Sequence, residues 1–235
     1  MECRLYYWAV PFRGDFIRLI LEDAGIKYQE HSPEEIIEIK SQPIKNQLFP
    51  VMAPPFFHDL QNDLFFNQMP AIVNYISHKL GYVTNDIIKD TLGLKLLLDC
   101  NDILAEITNL NGSQMWTHDD WKEFRFNRLK RWMEIFEEFG KRYGLSSDSG
   151  TMLGTENITF VDLATYAVFG TMTRCIPELK NDLNINSPNI SALCDRIYAR
   201  KNISLYLKEK QELWGDLYCG GQIEESIRKM ISLDK

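Results

Sequence analysis

Residues 1–25 constrain this chain more than any other stretch. Cys3 to Trp8 reads as a short, aromatic-rich strand, and Phe16, Ile17, Leu19, Ile20, Leu21 and Ala24 recur at the spacing of an amphipathic helix that stops at Gly25. A tight loop carrying Pro11 joins them, so the whole is half a βαβ unit. In open α/β sheets such a unit presents the carboxyl end of its strand, and the loop after it, to a crevice where ligands bind. That place holds Tyr7, a phenol, and Arg13, a cation. Tyr6 is the rival phenol, and strand alternation sends the two side chains to opposite faces.

A protein doing thiol–disulfide exchange from this loop needs a cysteine pair there, and no cysteine lies between Cys3 and Cys100. A thiol used in the crevice must therefore come from outside. The five cysteines include no CxxC pair and read as reduced thiols. His31, His58, His78 and His118 are too scattered for a metal-ligand pattern, so no metal is expected. A formal net charge of -7 argues against nucleic acid and against an anionic membrane surface. The one basic run, Lys122, Arg125, Arg128, Lys130 and Arg131, has Trp121, Phe124 and Trp132 interleaved and reads as a solvated helix face. The absence of a leader-like start and of any long apolar run points to a cytoplasmic protein.

After the opening unit, residues 26–31 alternate like a second strand. Ser32-Pro33-Glu34-Glu35 starts a helix, with serine as cap and proline in the first position. Residues 41–46 form an irregular connection carrying Lys45, either a ligand contact or a plain surface lysine. Residues 49–57 read as a strand entered through Pro54-Pro55, a pair that cannot donate to a sheet ladder and suits a cis bond. A hairpin over 59–63 returns along 64–66, and a helix over 68–80 follows. From Tyr82 the chain reads all helical, with helices over 86–110, 118–143, 159–174, 189–200 and 203–213. Past Gly215, Ile223, Ile227, Met230 and Ile231 keep helical spacing; this tail either forms an extra helix over the mouth of the crevice or frays.

Four features fall in a telling order. Tyr7-Trp8 ends strand one, Ala53-Pro54 precedes strand three, and Gln68-x-x-Ala71-Ile72 opens the next helix. Asn157-Ile158-Thr159-Phe160-Val161-Asp162 forms a capping box with a hydrophobic staple ahead of a helix that is apolar nearly all round. Together they resemble the cytosolic glutathione transferases, closest to the tyrosine-type mu, pi, alpha and sigma classes, over nearly the whole chain to Trp214. The resemblance implies an α/β thioredoxin-like N-terminal domain over 1–81. It also implies an all-α C-terminal helical bundle over 82–235, with the electrophile site and a C-terminal extension. The implied function is a glutathione transferase that activates the glutathione thiol as thiolate for attack on hydrophobic electrophiles. A non-enzymatic structural or ligand-carrier protein on the same fold is the alternative.

The resemblance also assigns roles. Tyr7, selected over Tyr6 by its spacing to Arg18, would donate a hydrogen bond to the thiolate of glutathione, the co-substrate, and Arg13 would add positive field. Trp8 and Lys45 would contact the tripeptide. Ala53, before a cis-proline at Pro54, would pair its main chain with the cysteinyl part. Gln68 and Met69 open a helix whose positive end suits the γ-glutamyl carboxylate. The family carries serine or threonine where Met69 stands, and Pro70 has no N–H, so the Met69 amide would anchor without a hydroxyl. Apart from the resemblance, Phe12, Met115 and Trp116, apolar residues beside loops, are candidates for the electrophile pocket, with plain packing as the alternative. Asp102, with Asp99 as rival, would reach the γ-glutamyl amine across a homodimer interface, where Phe49 would plug the partner's helical domain.

Overall fold

In the computed structural model, which describes residues 1–234, the sheet runs in the order β2-β1-β3-β4. β1 (Cys3–Tyr6) pairs parallel with β2 (Tyr28–His31) and antiparallel with β3 (Phe56–Asp59), which pairs antiparallel with β4 (Leu64–Asn67). The parallel pair needs a crossover, supplied by α1 (Phe12–Asp23). α2 (Pro33–Ser41) begins in the expected capping box, Ser32 with Glu35. α3 (Met69–Leu80) ends where Gly81 takes a φ of +78°, a left-handed value that suits glycine.

Strand alternation sorts the aromatic residues as expected. Tyr6 packs with Ile36, Val51, Phe56 and Phe65 under α2, and its ring stacks on His31 at 4.1 Å. Tyr7 joins the main core on the other side, beneath α1 and α3. The strand expected over 49–57 is shorter: β3 starts at Phe56, and the cis bond is Pro54–Pro55. The residue before the cis-proline is therefore Pro54, one later than the expected Ala53, because the second proline of the pair abuts the strand.

The helical part starts with α4 (Ile87–Ile107), capped by Asp86, whose carboxylate accepts the N–H groups of Ile88 and Lys89. α5 spans 118–142, with wider π turns at Phe124–Leu129. α6 spans 160–175, and all of it but Arg174 is buried. At its start Asp162 accepts the backbone N–H and hydroxyl of Thr159 and the N–H of Met152, realising the capping box read from the sequence. A β-carbon on Gly93 of α4 would come within 2.8 Å of Phe160 and Val161, so the glycine lets the two helices close on each other.

α7 (Lys180–Asn186) falls in the gap between the helices expected over 159–174 and 189–200. α8 (Pro188–Tyr198), α9 (Lys201–Trp214) and α10 (Gly221–Leu233) complete the bundle. The tail resolves in favour of the extra helix: Ile227, Met230 and Ile231 are buried. α9 is fastened to the sheet domain by a buried network. The Tyr206 hydroxyl donates to Asp15 at 2.8 Å, Asp15 pairs with Arg18, and Arg18 also pairs with Glu30. No helix among the described residues is long and apolar enough to cross a membrane.

Candidate active site

A cavity of about 530 Å³ opens at the carboxyl end of β1, between the sheet and the bundle. The loop into α1 gives it Tyr7, Trp8, Phe12 and Arg13; the approach to β3 gives Ala53, Pro54 and Pro55; the start of α3 gives Gln68 and Met69. The helical part supplies Asn101, Thr108, Asn111, Cys219 and Ile223, and α2 supplies Lys40. A larger cavity of about 670 Å³ lies wholly within the bundle, bordered by Tyr166, Arg174 and Lys208, and contains none of the expected residues. Size therefore does not pick the site. The smaller cavity is the candidate because it lies at the strand's carboxyl end, where an uncapped helix start and a buried phenol meet.

Tyr7 is only 7% exposed. Its oxygen accepts the Arg13 backbone N–H at 3.3 Å, while no acceptor for its own proton lies among the described residues. Burial pushes the phenol up to about 12, against the pull of Arg13 and Arg18. It is thus a protonated donor at neutral pH, aimed into the cavity. Gly14 makes room for it, since a β-carbon there would stand 2.5 Å from the Tyr7 ring. From beneath, Arg18 holds the loop by donating to the carbonyls of Val10 at 2.8 Å and Trp8 at 3.1 Å.

Arg13 leans the other way. Its Nε donates to Asn101 at 3.2 Å and its terminal nitrogen to Asn111 at 2.7 Å, and the guanidinium lies 5.0 Å over the Phe12 ring. Asn111 reaches it from a left-handed turn: φ is +43° at Asn109, +59° at Leu110, +58° at Asn111 and +78° at Gly112. Left-handed backbone costs a residue with a β-carbon roughly 1–2 kcal/mol. Gln68 is also in positive φ, +76°, at the cavity edge. The helix it precedes has no side-chain cap, so N–H groups of its first turn are free to meet an anion.

Of the expected site residues, Tyr7, Trp8, Phe12, Arg13, Ala53, Pro54, Gln68 and Met69 line the cavity. Four do not. Lys45 sits exposed in a short turn, Ile44–Asn46, and it is Lys40, in the last turn of α2, that borders the cavity, 6.0 Å from the Trp8 ring. Met115 is 42% exposed and outside. Trp116 is a packing residue: its ring lies 5.5 Å from Trp121 and 5.2 Å from Phe124, and its indole N–H donates to Ile107. Asp102 faces solvent on α4, away from this chain's own cavity.

The residues that sequence reasoning missed come mainly from the helical half. Asn101 is the neighbour of Asp102, and one residue turns a helix by about 100°. Cys219 and Ile223 belong to the tail, which folds over the cavity mouth. Glu224 accepts the N–H groups of Tyr218, Cys219 and Gly220, the Tyr218 ring meets Phe12 at 5.3 Å, and Ser226 accepts the Trp116 N–H at 2.8 Å.

Residues 92–230 match the family model described as "Glutathione S-transferase, C-terminal domain". A search of curated proteins finds no match. Among solved structures, a Pi-class glutathione S-transferase of Onchocerca volvulus superposes with a TM-score of 0.75 at 17% identity, covering 94% of this chain and 98% of that one. Prostaglandin synthase D of Nilaparvata lugens gives 0.71 at 17%, covering 89% and 99%. A glutathione S-transferase described as monomeric, Na-GST-3 of the hookworm Necator americanus, gives 0.70 at 18%, covering 89% and 97%.

Proposed function

The chain belongs to the glutathione S-transferase family, and from that premise we propose that it binds glutathione in the 530 Å³ cavity and conjugates its thiol to electrophiles. The observation that carries this reading is Tyr7, a buried, protonated phenol on the cavity wall whose oxygen accepts the Arg13 N–H and whose own proton has no acceptor among the described residues. A thiolate sulfur is the acceptor it lacks. A free thiol of this kind has a pKa near 8.5, so only a few per cent is ionised at neutral pH. A charge-assisted hydrogen bond that lowers it by about two units contributes about 2.7 kcal/mol to the anion. Arg13 adds positive field without itself being free to move, since both asparagines hold it.

The remainder of the tripeptide meets the rest of the wall. The free N–H groups at the start of α3 suit its γ-glutamyl carboxylate, with Gln68 and Met69 at the edge. Main-chain pairing with the cysteinyl part falls to the Ala53–Pro54 segment, where Pro54 offers a carbonyl and no N–H. Trp8 and Lys40 also border the cavity, with the Lys40 ammonium 6.0 Å from the Trp8 ring. The electrophile faces Phe12 and Ile223 and, beside them, the polar fringe of Asn101, Thr108 and Asn111. That lining suits an electrophile with an apolar reacting part and a hydrogen-bonding group of its own.

We further propose a homodimer. Leu94 and Leu98 are exposed on α4 along the line that leads to Asp102, and Leu48, Phe49 and Met52 are exposed ahead of β3. An acidic residue on such a face is placed to reach a partner's site. Unpaired cysteines fit a reducing, cytoplasmic setting. Retention on immobilised glutathione followed by turnover of a generic aryl halide tests the central reading. Retention without turnover favours the ligand-carrier alternative, and failure of both contradicts the assignment of the cavity.

A further inference from the structure

Among the five cysteines, Cys3, Cys100, Cys175 and Cys194 are buried, whereas Cys219 is partly open. It borders the same cavity as Tyr7 and Arg13. Its backbone is fixed there: Glu224 accepts the N–H of Cys219 at 2.9 Å and of Gly220 at 2.6 Å, and a φ of +74° at Gly220 turns the chain into α10. A β-carbon on Gly220 would stand 3.3 Å from Val10, so the segment rests directly on the loop after β1. A charge on Cys219 is felt at both Tyr7 and Arg13. The cysteine therefore shares one small space with the position where Tyr7 would hold a sulfur. Tyr7 marks a ligand position in that space, being 7% exposed, with its oxygen accepting the Arg13 N–H and its own proton unclaimed among the described residues.

We propose that Cys219 is a modification site that accepts a glutathionyl group from glutathione disulfide seated in this cavity. This rests on the glutathione reading above. The Cys219 sulfur attacks the sulfur of the seated half. The bond between the two glutathione sulfurs breaks, and a bond from Cys219 to the seated sulfur forms. The departing glutathione takes the electron pair and a proton equivalent to the one Cys219 gives up, and leaves as free thiol. Cys219 is oxidised to the mixed disulfide and the glutathione disulfide is reduced; free glutathione runs the exchange backwards. The product holds glutathione tethered beside Tyr7 and blocks turnover for as long as it lasts. Burial, and then the charge of Glu224, push the Cys219 thiol up to about 12, which slows its attack on any disulfide, free or seated. A disulfide already seated in the cavity is favoured by proximity and orientation.

The full chain is incubated with glutathione disulfide, with and without S-hexylglutathione, which has no free thiol and competes for the seat. Intact-mass and peptide mass spectrometry should find one glutathionyl group per chain, on Cys219 and removable by dithiothreitol. S-hexylglutathione should slow its appearance about tenfold or more. Cys219→Ser and Cys219→Ala, checked for fold by circular dichroism, should take up none. Conjugating activity should fall in proportion to the adduct and return on reduction. Modification spread over other cysteines, persistence in both variants, or indifference to S-hexylglutathione overturns the proposal. Calorimetric binding of S-hexylglutathione to the untreated chain separates the two readings: binding without an adduct at Cys219 overturns the modification site alone, and no binding overturns the glutathione reading with it.

Discussion

Replacing Tyr206 by phenylalanine removes a single oxygen from the joint between bundle and sheet. That hydroxyl donates to Asp15 Oδ1 at 2.8 Å, where Asp15 is 0% exposed and its other oxygen has no hydrogen-bond partner. Arg18, at 3.3 Å, is the side chain left to hold the carboxylate. A hydrogen bond to a charged group contributes about 1.5–3 kcal/mol, and the retained ring leaves little cavity. At roughly 2–4 °C per kcal/mol for a chain of this size, Tm should fall by about 3–12 °C. Burial raises the Asp15 carboxyl, and Arg18 and the Tyr206 hydroxyl pull it back down. Losing the hydroxyl lets it rise further, so the cost is largest at neutral pH and shrinks as acid protonates Asp15. Because Arg18 also braces the Trp8 and Val10 carbonyls, KM for glutathione should rise more than kcat falls. Thermal and urea unfolding at neutral and mildly acid pH provide the assay. A Tm shift under about 1 °C would refute the reasoning and leave Asp15 held by Arg18 alone.

Acid unfolding probes Asp59, where burial pushes the carboxyl up but hydrogen bonds from Lys79, Tyr75, Asn62 and the Gln61 N–H outweigh it and hold the group well below the usual carboxylate range. Its stabilisation is present above the unfolded value of about 3.9 and is lost as pH falls through the folded one. Asp59→Asn should therefore lower Tm at neutral pH and flatten the decline of Tm in acid; an unchanged slope contradicts this. Leu110→Gly relieves a left-handed residue that is 61% exposed, so after the entropy cost of glycine it should be neutral or stabilise by up to about 1 kcal/mol in urea unfolding. A loss of more than about 1 kcal/mol would mean that the side chain, not the turn, matters. Leu98→Asp places a charge on the exposed face of α4 and should shift sedimentation from dimer to monomer; a wild-type chain already monomeric, like its hookworm neighbour, contradicts the interface.

The sheet half of the cavity is legible in the sequence because its geometry is local. Tyr7 and Arg13 follow from a strand end and a helix start, Gln68 and Met69 from the first turn of the next helix. The helical half is not local. Asn101 enters the cavity and Asp102 does not because of how α4 packs on α6 through Gly93, a contact that couples positions far apart in the chain. Asn111 reaches Arg13 through consecutive left-handed residues that no propensity predicts. Lys40, in the last turn of α2, borders the cavity, whereas Lys45, in the short turn that follows, is exposed outside it. Met115 and Trp116 read as pocket residues from their place after a loop, yet the tail holds the Trp116 N–H through Ser226 and the half-buried ring packs against the core. α7 is obscured by the prolines at 177 and 188 that bracket it and resemble a break.

The ionisation of glutathione in its complex tests the Tyr7 assignment most directly. The thiolate is followed by ultraviolet difference absorbance as pH is varied, for the wild type and for Tyr7→Phe, with glutathione affinity measured alongside. The wild-type complex should titrate about two units below the free thiol's value near 8.5, and Tyr7→Phe should return it most of the way with affinity nearly unchanged and kcat about ten- to a hundredfold lower. Superimposable titrations of the two complexes would contradict the role of Tyr7 and pass it to Arg13.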